Sequence, residues 1–275
     1  MPELPEVETV VRGLRPLVQG RTFQSAQVHW PRSLHSPAPQ DFAVRLAGQQ
    51  VRAVQRRAKY IILSLDDDYL LVHLKMTGRL YVWPSASSDE DADERWVRVR
   101  LRFTDGDELR FSDARKFGKL YLTADLASVL GKLGPEPLED DFQPRDFIAR
   151  LRGHQRALKA LLLDQTFIAG VGNIYADEAL FRAGLHPLRP AHSLDNDEAV
   201  RLYQAIRQAM GQAIDQMGSS VNWYRQADGT RGEAQHSLLA YGRNGQPCLV
   251  CGTTIAKMRV VQRGTHFCPN CQPAP

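Results

Sequence analysis

The pattern of apolar and polar positions changes character along the chain. Near the start, Val7, Val10, Val11 and Leu14 recur at helical spacing, with Glu6 and Glu8 in the first turn, where the helix dipole favours acids. This predicts an amphipathic helix over residues 6 to about 15, with Pro5 suited to its N1 position. From Arg21 to about Thr123 the period shortens to that of strands. Apolar runs over 60–65 and 69–74 flank the turn Asp66-Asp67-Asp68. Further on, Val97, Val99, Leu101 and Phe103 alternate with Arg98, Arg100 and Arg102, which predicts a strand with one core face and one basic stripe. Asp105-Gly106 marks a hairpin into 108–111. Short strands at this spacing predict a β-sandwich.

Gly134-Pro135-Glu136-Pro137 reads as a linker, after which the helical period returns. Helices are expected over 145–152, 155–164, 173–183 and 196–217. Between the second and third lies Gly170-Val171-Gly172, with Asn173 at a helix start where open backbone N–H groups can hold a phosphate. The third glycine of a dinucleotide fingerprint is missing, so a tight helix–helix turn explains the same residues. Residues 85–94 are acidic and of low complexity, and 219–235 are polar and glycine-bearing; both are expected to be mobile loops. The resulting organisation is α+β. An N-terminal helix and β-sandwich occupy 1–133, a linker 134–144, a helical domain 145–240 and a cysteine-bearing segment 241–275.

Composition narrows the class. A hydrophobic content of 43% and a charged content of 24% describe a globular protein. No apolar run approaches the ~20 residues of a membrane span, and the acidic, polar start does not resemble a secretory signal. A membrane role is therefore not expected. The formal charge is +4, but Asp89, Glu90, Asp91, Asp93 and Glu94 crowd five acids into one run, leaving +9 on the rest. That balance points to a polyanion, with nucleic acid the first candidate.

Cys248-x-x-Cys251, sixteen residues, then Cys268-x-x-Cys271 is the spacing of a two-knuckle zinc site. Nothing in the chain suggests the oxidising compartment that disulfides need. The segment therefore reads as a zinc ribbon, with Gln262-Arg263-Gly264-Thr265 at the tip of its hairpin.

The start, Met1-Pro2-Glu3, carries candidate chemistry. Removal of Met1 leaves Pro2 with a secondary amine, and an α-amino group titrates near ~8, so part of it is nucleophilic at cellular pH. Attack on an aldehyde-like carbon gives an iminium, an electron sink suited to elimination. Glu3 stands beside it to donate or take a proton. An ordinary helix start accounts for the same few residues without chemistry.

Several motifs in order resemble bacterial formamidopyrimidine-DNA glycosylases, which remove oxidised purines from DNA. They are Met1-Pro2-Glu3-Leu4-Pro5-Glu6-Val7-Glu8-Thr9, Lys59-Tyr60, His73-Leu74-Lys75-Met76, Asp113-Ala114-Arg115-Lys116-Phe117-Gly118, Gly170-Val171-Gly172-Asn173-Ile174-Tyr175, Tyr241-Gly242-Arg243 and the four-cysteine ribbon. The resemblance spans essentially the whole chain. The related endonuclease VIII branch, which acts on oxidised pyrimidines, shares the Pro-Glu start, but Leu4 to Thr9 favours the purine branch.

The resemblance implies a helix-two-turn-helix motif in the helical domain and a structural zinc in the ribbon. It implies that Pro2 attacks C1′ of the damaged nucleotide while Glu3 donates the proton that helps open the ribose. Excision of 8-oxoguanine or formamidopyrimidines is then followed by β- and δ-elimination at the abasic site. Lys59 would hold a phosphate or move protons, and Arg56 and Arg57 with it suit a phosphate track. Met76, Arg115 and Phe117 would enter the duplex and fill the hole left by the extruded nucleotide, although Met76 and Phe117 alone read as core. His73, which also reads as a core histidine, would contact DNA. Asn173 would bind phosphates, helped by Arg156 and Lys159, and Arg263 would grip the phosphates around the lesion. Residues 219–235 would cover the everted base.

Trp96 and Arg98 stand where family members often carry histidines; Arg98 is expected to keep a phosphate contact. The implied partner is double-stranded DNA, met by a monomer at the nucleoid in the bacterial cytoplasm. Two rivals from other classes are a zinc-ribbon DNA binder without catalysis and an N-terminal-proline tautomerase. The second expects a strand directly after the proline and no ribbon.

Overall fold

In the computed structural model, helix α1 (Leu4–Val18) is longer than its apolar stripe predicts, running through Pro16 to Val18, with Gln19 as its extended C-cap. The structure describes residues 1–88, 90–221 and 224–275. Two units form by contact, Met1–Gly131 with Met217–Glu233, and Lys132–Gln216 with Ala234–Pro275.

In the first unit, α1 is followed by β1 (Phe23–Val28), β2 (Leu34–Ser36), α2 (Pro39–Leu46), β3 (Ala53–Arg57), β4 (Tyr60–Ser64) and β5 (Tyr69–His73). Then come β6 (Gly78–Trp83), β7 (Val97–Phe103), β8 (Glu108–Asp113), β9 (Lys119–Thr123) and the single turn α3 (Ala127–Leu130). One sheet has the order β1-β7-β8-β6 and the other β2-β9-β5-β4-β3. All their pairings are antiparallel except β2 with β9. Val99, Leu101 and Phe103 of the first sheet share a core with Ile61, Leu63 and Val72 of the second, and α1 adds Val7, Val11 and Leu14. Each of these side chains is fully buried, which at ~1.5–3 kcal/mol apiece makes apolar burial the main force holding the sandwich together.

Two expected mobile loops are tied down instead. In the acidic run, Asp93 pairs with Arg79, Glu94 with Arg100 and Arg110, and Asp91 accepts from Arg110 Nη1 at 2.7 Å and Tyr81 Oη at 2.7 Å. Asp89 lies outside the described residues. Glu108 meets Arg100 at 3.3 Å and Arg102 at 3.2 Å. The basic stripe of β7 is thus largely neutralised within the chain, and the run is a strap across it.

Most of 219–235 joins the first unit rather than the helical domain: Tyr224 and Ala227 sit in the sandwich core. Ser220 Oγ donates to Tyr224 O at 3.0 Å and receives Gly232 N at 3.0 Å. Asn222 and Trp223 fall outside the described residues.

The second unit holds α4 (Pro144–Arg152), α5 (Leu158–Leu162), α6 (Asn173–Ala183) and α7 (Asn196–Asp215), then a hairpin of β10 (Ala256–Val260) and β11 (Arg263–Phe267). The helix expected over 155–164 shrinks to five residues. Its flanks do other work: Arg156 pairs with Asp164 at 2.6 Å, and Asp164 Oδ1 accepts from Thr166 N at 3.0 Å. Gln165 shapes the turn into α6, donating to Val171 O at 2.8 Å and accepting from Gly170 N at 3.0 Å. Gly170 has φ 91°, which its lack of a Cβ permits.

Candidate active site

Glu3 is the N-cap of α1, and its backbone nitrogen donates to Glu6 Oε2 at 2.8 Å. The other Glu6 oxygen accepts from Ser219 N at 2.8 Å. One carboxylate, 1% exposed, therefore joins the chain start to the 217–233 segment. Pro2 is buried and Glu3 is 2% exposed, an unusual confinement for residues so near a terminus.

Lys59 lies in the two-residue turn between β3 and β4, after Ala58 at φ 51°, and is only 5% exposed. Arg56 is not available as phosphate track: its Nε donates to Glu8 at 3.0 Å and Nη1 to Ala58 O at 3.2 Å. His73 is 7% exposed, and burial, with the charges of Lys75 and Lys59, pushes its pKa down to about 3. The ring is neutral, and because Nδ1 accepts from Lys75 N at 3.0 Å, Nε2 carries the hydrogen.

Met76, Arg115 and Phe117 come together at the surface. Arg115 Nη1 is 3.2 Å from Met76 Sδ, and its guanidinium carbon stands 4.8 Å from the Phe117 ring centroid. Met76 is 38% and Phe117 49% exposed, so neither is core. The cluster rests on Asp113, fully buried, whose carboxylate accepts from Thr77 Oγ1, from Arg115 N at 3.1 Å and from Gly118 N at 2.7 Å. Arg98 Nε donates to Asp113 O at 2.9 Å, joining the same support. Lys116, with φ 61°, holds its ammonium 4.1 Å from the Trp30 ring centroid.

In the second unit, Asn173 opens α6, with Gly172 as N-cap. Its Nδ2 donates to Gly264 O at 2.9 Å, while Oδ1 is buried without a hydrogen-bond partner among the described residues. Lys159 corrects an expectation. It is fully buried, paired with an equally buried Asp177, and donates to Asn173 O at 2.9 Å. A phosphate in solvent does not reach it; its charge supports the turn. Arg156 stays at the surface, with its side chain 48% exposed beside Asp164. Arg263 is exposed as the first residue of β11, and the tip is Val261-Gln262 rather than 262–265. Both tip residues have positive φ, 43° and 60°, as a tight two-residue hairpin turn demands.

The four cysteines fit a zinc ion. Their Sγ atoms all lie within 4.8 Å of one another, with separations of 3.9 Å for Cys248–Cys271 and 3.5 Å for both Cys251–Cys268 and Cys251–Cys271. Four thiolates at Zn–S ~2.3 Å in a tetrahedron stand about 3.8 Å apart. Val250 N donates to Cys248 Sγ and Cys271 N to Cys268 Sγ, each at 3.4 Å.

Glu6, Asp113, Gln165, Asp177 and Glu178 are structural residues that the motifs alone do not single out. Glu178, 2% exposed, accepts from Leu239, Ala240 and Tyr241 N, each at 2.9 Å. One signal was present: two adjacent acids, Asp177-Glu178, flanked by the apolar Ile174, Ala176, Ala179 and Leu180, announce buried carboxylates with partners.

Family models match in chain order. They are the formamidopyrimidine-DNA glycosylase N-terminal domain over residues 1–120, its H2TH domain over 133–224, and a zinc finger found in FPG and IleRS over 245–274. Formamidopyrimidine-DNA glycosylase of Geobacillus kaustophilus is 47% identical over 277 residues, covering 99% of this chain and 100% of its own. That of Herpetosiphon aurantiacus is also 47% identical, over 276 residues, again with 99% and 100% covered. Among solved structures, the MutM (FPG) protein of Thermus thermophilus superposes with a TM-score of 0.88 at 41% identity, with both chains fully covered. The Lactococcus lactis Fpg complexed with DNA containing an abasic site gives 0.89 at 34%, covering 99% of this chain and 100% of that one. With all three parts matched and the identity running the length of both chains, the protein belongs to the formamidopyrimidine-DNA glycosylase family.

Proposed function

We propose that this protein excises oxidised purines, 8-oxoguanine and formamidopyrimidines, from double-stranded DNA and then cleaves the abasic site. The observation that carries the reading is the Pro2–Glu3 start, buried and held at the mouth of α1 by Glu6. With Met1 removed, the Pro2 nitrogen is a secondary amine. Glu3 gives a proton to the ribose ring oxygen and the C1′–O4′ bond opens. Pro2 bonds to C1′, and the base departs with the electron pair of its glycosidic bond, leaving an iminium. That cation acidifies C2′, so loss of a proton expels the 3′ phosphate, a second elimination expels the 5′ phosphate, and water frees Pro2.

The exposed Met76–Arg115–Phe117 cluster supports insertion into the duplex, with the two apolar groups replacing stacking and the guanidinium reading the orphaned base. Lys59, the Nε2–H of neutral His73, Arg98, Arg156, Asn173 and Arg263 are the phosphate contacts we propose, with Lys159 supporting Asn173 from below. Catalysis belongs to 1–133 together with the 217–233 segment packed on α1, and the grip on the backbone to 145–216 and the ribbon. We take the working form to be a monomer at the nucleoid in the bacterial cytoplasm. Among the described residues, no helix is long and apolar enough to cross a membrane.

Borohydride added during turnover should reduce the iminium and leave protein covalently joined to DNA, with the adduct on an N-terminal peptide beginning at Pro2. Glu3→Gln should block base excision while sparing cleavage at a preformed abasic site. A protein that binds lesion DNA but traps none of it would be a binder only.

A further inference from the structure

The zinc site and the exposed Arg263 occupy opposite ends of the ribbon hairpin. Five residues of β11 separate the tip from Cys268, roughly 17 Å of extended chain. Metal at one end of a narrow two-stranded ribbon leaves the direction of the other end to be set by something else. The neighbouring α6 provides it.

On the edge of β11 that does not face β10, Gly264 O accepts from Asn173 Nδ2 at 2.9 Å. On the same edge, His266 N donates to Asp177 Oδ2 at 2.9 Å, and His266 Nδ1 lies 3.2 Å from that oxygen. The spacing explains the match. Two residues of strand advance about 6.6 Å, and the four residues from Asn173 to Asp177 advance about 6 Å along a helix. Side chains one helical turn apart thus satisfy strand groups two residues apart, and α6 covers the ribbon edge as a third strand would. Asp177 is fully buried, and its other carboxylate oxygen meets the equally buried ammonium of Lys159 at 2.5 Å.

We propose that Asp177 is the positioning residue for Arg263: it locks β11 to α6 so that the hairpin tip presents its guanidinium to the DNA backbone in fixed register with Asn173. This rests on the reading that Arg263 grips a phosphate. Asp177→Asn removes the charge and half of the acceptor capacity. Affinity for duplex carrying an abasic-site analogue should fall about tenfold, and the dependence of log K on log salt should lose about one phosphate, ~0.9 in slope. Zinc content should remain one per chain.

The decisive measurement repeats the substitution on Arg263→Ala, where Asp177→Asn should cost nothing further. A full additional tenfold loss there, or loss of zinc, overturns the proposal. If Arg263→Ala itself leaves the salt slope unchanged, the phosphate reading of Arg263 falls, whatever Asp177→Asn does. Since Asp177→Asn strands a buried Lys159, the pair Lys159→Met with Asp177→Asn serves as the second background. If both versions fail to fold, the network holds the fold rather than the tip, and the proposal is wrong.

Discussion

His73 is where burial alters a side chain's chemistry most plainly. Its folded pKa is pushed down to about 3 by desolvation and by the charges of Lys75 and Lys59, against ~6.5 for an ordinary histidine. Between those values the unfolded chain holds a proton that the folded one refuses, so the stability from a neutral His73 is whole above ~6.5 and drains away as pH falls toward 3. We expect His73→Gln, whose amide oxygen can still accept from Lys75 N, to flatten the acid loss by up to ~1.4 kcal/mol per pH unit. Urea denaturation of both proteins from about pH 7 to about pH 5 checks it; parallel declines would refute it.

Arg115 is the residue to test for base reading, since its guanidinium stands free of any carboxylate partner among the described residues and lies against Met76 and Phe117. Arg115→Ala should weaken discrimination of the base opposite the lesion by ~1–3 kcal/mol, with less effect on cleavage at an existing abasic site. Excision rates opposite each partner base measure it, and unchanged selectivity would retire the insertion role.

At the scale of elements, the loop from β8 to β9 shows how a fixed support presents exposed groups. Asp113 gathers Thr77, Arg115 and Gly118, while a Cβ on Gly118 would sit 2.4 Å from Phe111 Cζ. Phe111 is fully buried in the sandwich core, so its ring cannot simply swing away. Gly118→Ala should cost ~1–3 kcal/mol as overpacking, and base excision should suffer more than lyase action because Phe117 is displaced. A denaturation midpoint equal to wild type would show that the core yields. The acidic strap is a second such element. Its most exposed pair, Arg100–Glu94, is worth ~0–1 kcal/mol, and the run's plain effect is to remove charge from the β7 stripe.

At the scale of the molecule, metal dependence should divide along the chain. The sandwich unit has a large apolar core of its own, whereas the ribbon's buried cluster is Phe181, Ala240, Cys248, Ile255 and Cys268, two of them zinc ligands. So small a core does not hold a fold without its metal, whose binding contributes ~10–16 kcal/mol in isolated zinc-finger peptides. Metal analysis should find one zinc per chain. Chelation should open 241–275 to protease and abolish tight DNA binding while the sandwich keeps its β signal in circular dichroism. Full DNA affinity after zinc removal would show the ribbon to be dispensable.

What the chain declares by itself is what neighbouring residues settle between them. Alternation of period two sets the buried face of β7, helical spacing sets the stripe of α1, and two Cys-x-x-Cys pairs set the metal chemistry. The Pro2–Glu3 start and the Arg115–Phe117 run are legible as motifs because the chemistry proposed for them needs particular side chains in order. Tertiary structure alone decided the rest. Glu6 finds Ser219 across 213 positions, Lys159 is claimed by Asp177 instead of a phosphate, and the acidic run closes on the arginines of the sheet. Those outcomes turn on which charges lose water together when distant segments pack, and a buried charge then takes the partner within hydrogen-bond reach, wherever that partner stands in the sequence.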